Sequence, residues 1–416
     1  MCTYPYHERG NFHCTDEKFN RIFNICRYTL RLCSHELIMD TPWREQAQWM
    51  GDVSAISLGG IYACFGDTAL TGKFLWQSAM AQLPTGMFQY ITQKWVGKWR
   101  NTTVDFSLWW VNALWNHYEY TGDENWIVRY YPQVIKLVYA ITDYLDEFGL
   151  IGSIPYGSFV DWAKIDGLSF KQLHVKGENT FINALFYGVT DKVIKMAKIM
   201  DDKRMIIYLE NIRTGLKKAF HERLYDENKH VYADANMDGK LSDLVSEHAN
   251  MAAILWNLCD ENETKNIIQT LFLEKKIPFT MAEPFATTFT LQALDRAGRI
   301  DLAYKIIRDR WGTWMVDRGA SSVYEEWGIN GTWRSGEYQG FIRTLSHAWS
   351  AGPAEFLIKN TIGLEIMEPG YKKIRLNPKD IGQDYNIIYP LPQGNLIVEF
   401  KEKQCSISLP DDVERV

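Results

Sequence analysis

The segment Asp40-Thr-Pro-Trp-Arg-Glu-Gln-Ala-Gln-Trp-Met-Gly-Asp52 places three acids, Asp40, Glu45 and Asp52, beside Arg44, Trp43 and Trp49. Charges set next to Pro42 and Gly51 make a poor core helix, and burying them is costly unless they are paired or used. One reading is a structural ion-pair network around Arg44. The other is a site where Arg44 and the acids grip sugar hydroxyls. One acid, its pKa raised by the others, would then donate a proton to a leaving oxygen.

A second acidic cluster, Tyr324-Glu325-Glu326-Trp327, follows Gly319-Ala-Ser-Ser322. Successive residues on a regular helix or strand do not both face inward, so Glu326 reads as a solvated neighbour if Glu325 is inside. One acid of this pair with one from the first cluster would make a two-carboxylate site, as in glycoside hydrolysis. Asp161-Trp162, in the loop from Tyr156, and Asp105-Phe-Ser-Leu-Trp109-Trp110, opening a helix, suit sugar contact or core packing equally. His347 lies among small residues in Ser346-His-Ala-Trp-Ser-Ala-Gly-Pro353 and is either a hydrogen-bonded structural group or a site residue. The 16 Trp and 22 Tyr fit a large aromatic core, and equally a sugar site, since pyranose faces stack on indole.

Helices are what must carry these groups. Thr15, Asp16 and Glu17 look like a cap and an acidic first turn, and Phe19, Ile22, Phe23, Cys26 and Leu30 follow at helical spacing. Polar turns then recur at Cys64–Thr68, Tyr120–Glu124, Met200–Asp202 and Arg296–Arg299, each between amphipathic segments. Stacked helical hairpins are predicted, closed as an (α/α)6 barrel rather than a solenoid, whose periods would be tighter. The barrel is expected over residues 1–360. After Gly363, alternation in Lys373–Leu376, Leu396–Phe400 and Ser406–Leu409 predicts a small antiparallel β-sandwich domain over 361–416. The long loop-like stretches Leu83–Thr103 and Ile154–Asn179 are rich in Gly, Trp and Tyr, which suggests function.

Several classes are disfavoured. A net charge of -6 argues against a nucleic-acid partner. No apolar run approaches the roughly 20 residues of a membrane span, so no membrane partner is expected. The 7 cysteines are odd in number and scattered, and read as free thiols in a reducing, cytoplasmic setting. No CxxC or HExxH spacing suggests a metal, and no phosphate loop, dinucleotide fingerprint or GxSxG elbow suggests a cofactor or a serine nucleophile. The oligomeric state is left open.

Taken together, the segments resemble glycoside hydrolase family 78, the α-L-rhamnosidases with a six-hairpin barrel. The resemblance runs over nearly the whole chain. Tyr4–Asp16 is similar to the approach to the family's barrel, and Asp40–Asp52 to its signature, the most specific match. The resemblance implies that Glu45 is the general acid, while Asp40, Arg44, Trp49 and Asp52 hold the sugar. Phe159-Val-Asp161-Trp162 resembles a loop whose Trp lines the pocket, and Trp109 or Trp110 another wall. Gly319–Trp327 resembles the segment with the general base, which falls on Glu325, and His347 a sugar-contacting histidine. Glu368–Arg375 resembles the start of the C-terminal β domain. The same resemblance implies an inverting exo-glycosidase acting on a rhamnoside, without metal or cofactor. Asp40 and Asp52 would raise the pKa of Glu45, and Arg44 would oppose them. The alternatives are a six-hairpin exo-glycosidase for a glucuronide or glucoside, and a catalytically silent sugar binder. The sequence departs from the pattern in beginning at the barrel, where relatives usually carry β-sandwich modules first. Glu326 also stands where a basic or polar residue is more usual.

Overall fold

In the computed structural model the described residues are 2–92, 102–167, 175–327 and 344–416. After strand β1 (Asn11–Cys14), helix α1 (Glu17–Leu32) starts on Asp16, whose side chain accepts from the Lys18 N–H. Then α2 (Met50–Asp52) runs through a π-helical turn, Val53–Ser57, into α3 (Leu58–Phe65). Four helices follow at full length: α4 (Ala69–Met80), α5 (Val104–Thr121), α6 (Asn125–Thr142) and α7 (Thr180–Ile199). Next come α8 (Lys203–Leu224), α9 (Glu247–Leu255) and α10 (Glu261–Ile268). The last three are α11 (Pro284–Arg296), α12 (Ile300–Ile307) and α13 (Gly352–Lys359).

The packing partners close a ring. Helix α3 touches α5, α5 touches α7, and the chain of contacts continues through α9, α11 and α13 back to α3. The helices between them, α4, α6, α8, α10 and α12, together with α1, form the outer layer. Burial follows this division: α5 buries 15 of its 18 residues, while α8 buries 6 of 22. A helix apolar nearly all round belongs inside, and an amphipathic one outside. This is the (α/α)6 barrel expected from the hairpin pattern. The four polar junctions read from the sequence are turns joining an inner helix to its outer partner. Gly66 and Gly122, at φ 64° and 71°, take left-handed conformations that end α3 and α5.

Short strands β2 (Glu178–Asn179), β5 (Ala235–Met237) and β6 (Lys240–Leu241) pair before α9, as do β3 (Tyr225–Asp226) and β4 (Val231–Tyr232). The C-terminal strands are β7 (Glu365–Glu368), β8 (Lys373–Arg375), β9 (Tyr385–Leu391), β10 (Gly394–Lys401), β11 (Gln404–Ser408) and β12 (Glu414–Arg415). They form a four-stranded antiparallel sheet, β1-β9-β10-β11, and a three-stranded one, β12-β8-β7, whose β12–β8 pair is parallel. Strand β1 sits in the C-terminal sheet, with Phe12 opposite Ile387, so the sheet crosses the 360/361 division. Phe12 and Cys14 face the core on alternate positions of a strand too short to show in a sequence pattern.

The alternation of inner and outer helices has a consequence for chemistry. Every outer-to-inner connection arrives at the start of an inner helix, so these connections gather at one end of the ring. The segments 40–49, 159–162, 282–283 and 323–327 are all of this kind, and they hydrogen-bond to one another.

Candidate active site

The loop before α2 is closed by its own backbone. The Asp40 N–H donates to the Ala47 carbonyl and the Ala47 N–H to Asp40 Oδ1, both at 3.0 Å. Gln46 takes a left-handed φ of 52°, and its side-chain amide donates to the Pro42 carbonyl at 2.9 Å. A non-glycine residue in that region is held by its surroundings and is common at functional sites. The tight turn leaves Trp43 85% exposed while Arg44 and Glu45 stay partly buried.

Arg44 Nη2 lies 3.3 Å from Glu45 Oε1 and 3.1 Å from Glu325 Oε1. One nitrogen therefore touches two carboxylates that are far apart in the chain. Glu325 also accepts from the Trp162 indole N–H and from the Thr344 backbone N–H, each at 3.1 Å. Its own backbone N–H donates to the Thr344 carbonyl at 3.0 Å, and the Trp349 indole donates to its carbonyl at 3.0 Å. Glu325 is thus fixed at both ends, with its side chain 1% exposed, while that of Glu45 is 35% exposed. Glu326 is fully buried too, which corrects the expectation that it faces solvent. Segment 320–327 is neither helix nor strand, so no regular periodicity forces adjacent side chains apart.

Aromatic rings surround this group. The Trp49 indole donates to Glu45 Oε2 at 2.7 Å, and its ring stacks on Tyr90 at 4.8 Å. Trp162 meets Phe159 edge-on at 4.8 Å. His347 Nδ1 lies 3.7 Å from Asp52 Oδ1, and its ring packs on Trp349 at 4.4 Å. The structure therefore gathers Arg44, Glu45, Trp49, Trp162 and Glu325 into one directly bonded set. Asp40 joins through the electrostatics below, and Asp52 and His347 form an adjoining pair.

Among the described residues, three expected residues make no direct contact with Glu45 or Glu325. Trp110 is fully buried, stacked on Phe88 at 4.5 Å and edge-on to Tyr130. Trp109 stacks on Phe289 at 4.7 Å, inside the ring of inner helices. Neither shows a contact with the carboxylates among the described residues, because α5 is buried on all sides and both indoles are spent on helix packing. Asp161 is also internal. Its Oδ1 accepts from the Trp162 N–H at 2.8 Å, and its Oδ2 accepts from the Glu283 N–H at 2.8 Å and lies 2.7 Å from His248 Nε2.

Charge repulsion and burial act most visibly on the two aspartates. Burial, and then the charge of Glu45, pushes Asp40 up to about 8. Burial, and then Asp40 and Glu45, drives Asp52 well above the usual carboxylate range. Burial lifts Asp105 to about 6 against the Phe159 N–H, which donates to both of its oxygens at 3.1 and 3.2 Å. Asp105 thereby ties α5 to the loop that carries Trp162.

Sequence reasoning passed over Tyr90, Thr344 and Glu283. Tyr90 lies within Leu83–Thr103, so loop length was its only signal; residues 93–101 of that loop and 168–174 of the other lie outside the described residues. Thr344 acts mainly through its backbone, which residue type does not reveal. Glu283 looks like an ordinary acid ahead of the proline that starts α11.

A sequence model of the family described as the bacterial alpha-L-rhamnosidase 6 hairpin glycosidase domain matches residues 7–361. An alpha-L-rhamnosidase of Formosa agariphila is 24% identical over 425 aligned residues, covering 97% of this chain and 43% of the relative. The crystal structure of a GH78 family rhamnosidase from Bacillus sp. GL1 superposes with a TM-score of 0.87 at 24% identity, covering 99% of this chain and 44% of that one. The Streptomyces avermitilis alpha-L-rhamnosidase complexed with L-rhamnose gives a TM-score of 0.77 at 17% identity, covering 99% of this chain and 38% of that one. The chain thus spans less than half the length of these three relatives.

Proposed function

The chain belongs to the bacterial α-L-rhamnosidase six-hairpin glycosidase domain family, and from that premise we propose that it removes terminal α-L-rhamnosyl residues by inverting hydrolysis. Glu45 is the general acid and Glu325 the general base. The observation that carries this is the single Arg44 nitrogen held between the two carboxylates.

The roles follow from exposure and donors. Glu45 is the more exposed acid, where a departing group can leave, and it hands its proton to the glycosidic oxygen as the C–O bond breaks. Glu325 sits deeper under three N–H donors, which suit an ionised carboxylate. It takes a proton from the water whose oxygen attacks the anomeric carbon on the opposite face. Solvent exchange then returns a proton to Glu45 and removes one from Glu325.

The two Arg44 contacts cap the gap between the nearest oxygens at their sum, just below the roughly 6.5–9.5 Å usual for inverting pairs. Arg44 spans that gap. A sugar hydroxyl that accepts from Arg44 draws the guanidinium aside and opens room for water. Trp49 and Trp162 offer apolar faces to the sugar ring and its methyl group, and Asp40, Asp52 and His347 supply polar partners. Seven unpaired cysteines support a reducing, cytoplasmic setting as part of the same proposal.

The test is product release from a panel of aryl glycosides (α-L-rhamnoside, β-D-glucuronide, glucoside), with the anomer of the freed sugar read by NMR. Rhamnoside cleavage with inverted product is expected. Preference for another sugar, or a retained anomer, overturns the assignment.

A further inference from the structure

Behind the Arg44 bridge lies a second group of titratable side chains: Asp161, His248, Glu247, Glu283, Arg310 and Glu326, all buried. We infer that Glu283 is a positioning residue for Glu325, a buried carboxylic acid that fastens the Trp162 loop and the Glu325 segment to the start of one helix. The inference rests on the reading of Glu325 as the general base.

Glu283 is the residue from which α11 begins. Its backbone N–H donates to Asp161 Oδ2 at 2.8 Å, and Asp161 Oδ1 in turn accepts from the Trp162 N–H at 2.8 Å. The Trp162 indole then reaches Glu325 Oε1. On the other side, Glu283 Oε2 accepts from the Trp327 N–H at 3.1 Å, two residues beyond Glu325. The adjacent Ala282 carbonyl accepts from the Trp327 indole at 2.8 Å. Two routes therefore run from one helix start to the same carboxylate, and both follow bonds internal to the protein.

The surroundings decide the protonation of Glu283. Asp161 faces it from the Trp162 loop, Glu326 from the Glu325 segment and Arg310 from the π-helical turn Arg308–Thr313. Arg310 is already engaged by Glu247 of α9 through two bonds of 3.0 and 2.9 Å, and His248 of α9 is engaged by Asp161. Burial first, and then the charge of Asp161, pushes Glu283 up to about 9. At neutral pH it is a neutral acid, accepting from Trp327 without adding charge next to Asp161 and Glu326. Losing that proton sets a further negative charge among them, and the two segments that hold Glu325 are driven apart. Glutamine, which is neutral and accepts through the same position, imitates the protonated acid.

This chain and its variants Glu283→Ala and Glu283→Gln are compared on an aryl rhamnoside from about pH 5 to 10, recording kcat, KM and Tm. A displaced base lowers kcat in the alanine variant by about tenfold to 10²-fold, with little change in KM. The glutamine variant recovers most of that loss. Its activity falls less steeply toward high pH than that of the wild type, and its Tm advantage widens as pH rises toward about 9. Wild-type kcat in the alanine variant overturns the inference. So does a glutamine variant as impaired as alanine with the wild-type alkaline decline. A wild type inactive on every glycoside refutes the functional reading instead. The Tm comparison then decides for Glu283 alone: a gap that does not widen with pH removes the buried proton, and the inference with it.

Discussion

The front and rear charge clusters use the same residue types to opposite ends. In front, one cation, Arg44, serves two carboxylates and remains 20% exposed, so its bonds can be exchanged for those of a ligand. At the rear, Arg310 spends two bonds on Glu247 and two more on Thr287 and the Ala282 carbonyl, almost wholly out of solvent. A shared, half-open cation is adaptable. A saturated, buried one is a fixture, and holds the loops that the front cluster needs in place.

The sharpest break in this contrast is chemical. Glu45→Gln and Glu325→Gln are each expected to lower kcat on an aryl rhamnoside by about 10²–10⁴-fold while circular dichroism stays that of the wild type. Unaltered turnover in either variant removes that residue from its role. At the rear the loss should instead appear in stability. Arg310→Met strands a buried Glu247 carboxylate and is expected to cost about 3–5 kcal/mol in denaturant unfolding. A change below roughly 1 kcal/mol would mean that the rear pair is no fixture.

Smaller effects sharpen the picture. Trp162→Phe keeps an aromatic face, though a smaller one, and removes the N–H donor to Glu325; a loss of about tenfold in kcat is expected, larger than any change in KM. Equal loss in KM would place the indole in sugar binding alone. The smallest effect concerns pH. Asp40 has a folded pKa of about 8, raised above the ordinary carboxylate value by burial and Glu45. The stability linked to its neutral form is complete below that ordinary value and is lost as pH rises through about 8. Wild-type Tm should therefore fall toward alkaline pH, and Asp40→Asn should flatten the fall by about a few degrees, the raised carboxyls of Asp52, Asp105 and Glu283 keeping the remainder. A variant with an unchanged slope would show that Asp40 is charged already.

Much of this was legible in one dimension. The four polar junctions are the turns of hairpins because helix faces and left-handed glycines are local properties. The spacing of Asp40, Arg44, Glu45 and Trp49 was legible too, since a tight loop keeps neighbours together. Trp109 and Trp110 were ambiguous in the sequence because aromatic side chains suit a core and a sugar equally, and the structure shows both packed against neighbouring rings, on Phe289 and Phe88.

What the residues alone determined is therefore the hairpin repeat, the acidic segments and the carboxylates they contain. Which carboxylates meet was decided by closure of the ring, since α13 returning to α3 brings the connections at one end within bonding distance. Side-chain periodicity carries information over a few residues, whereas the Arg44 bridge between Glu45 and Glu325, the inward turn of Glu326, the retreat of Asp161 and the pairing of β1 with β9 depend on packing between distant parts of the chain.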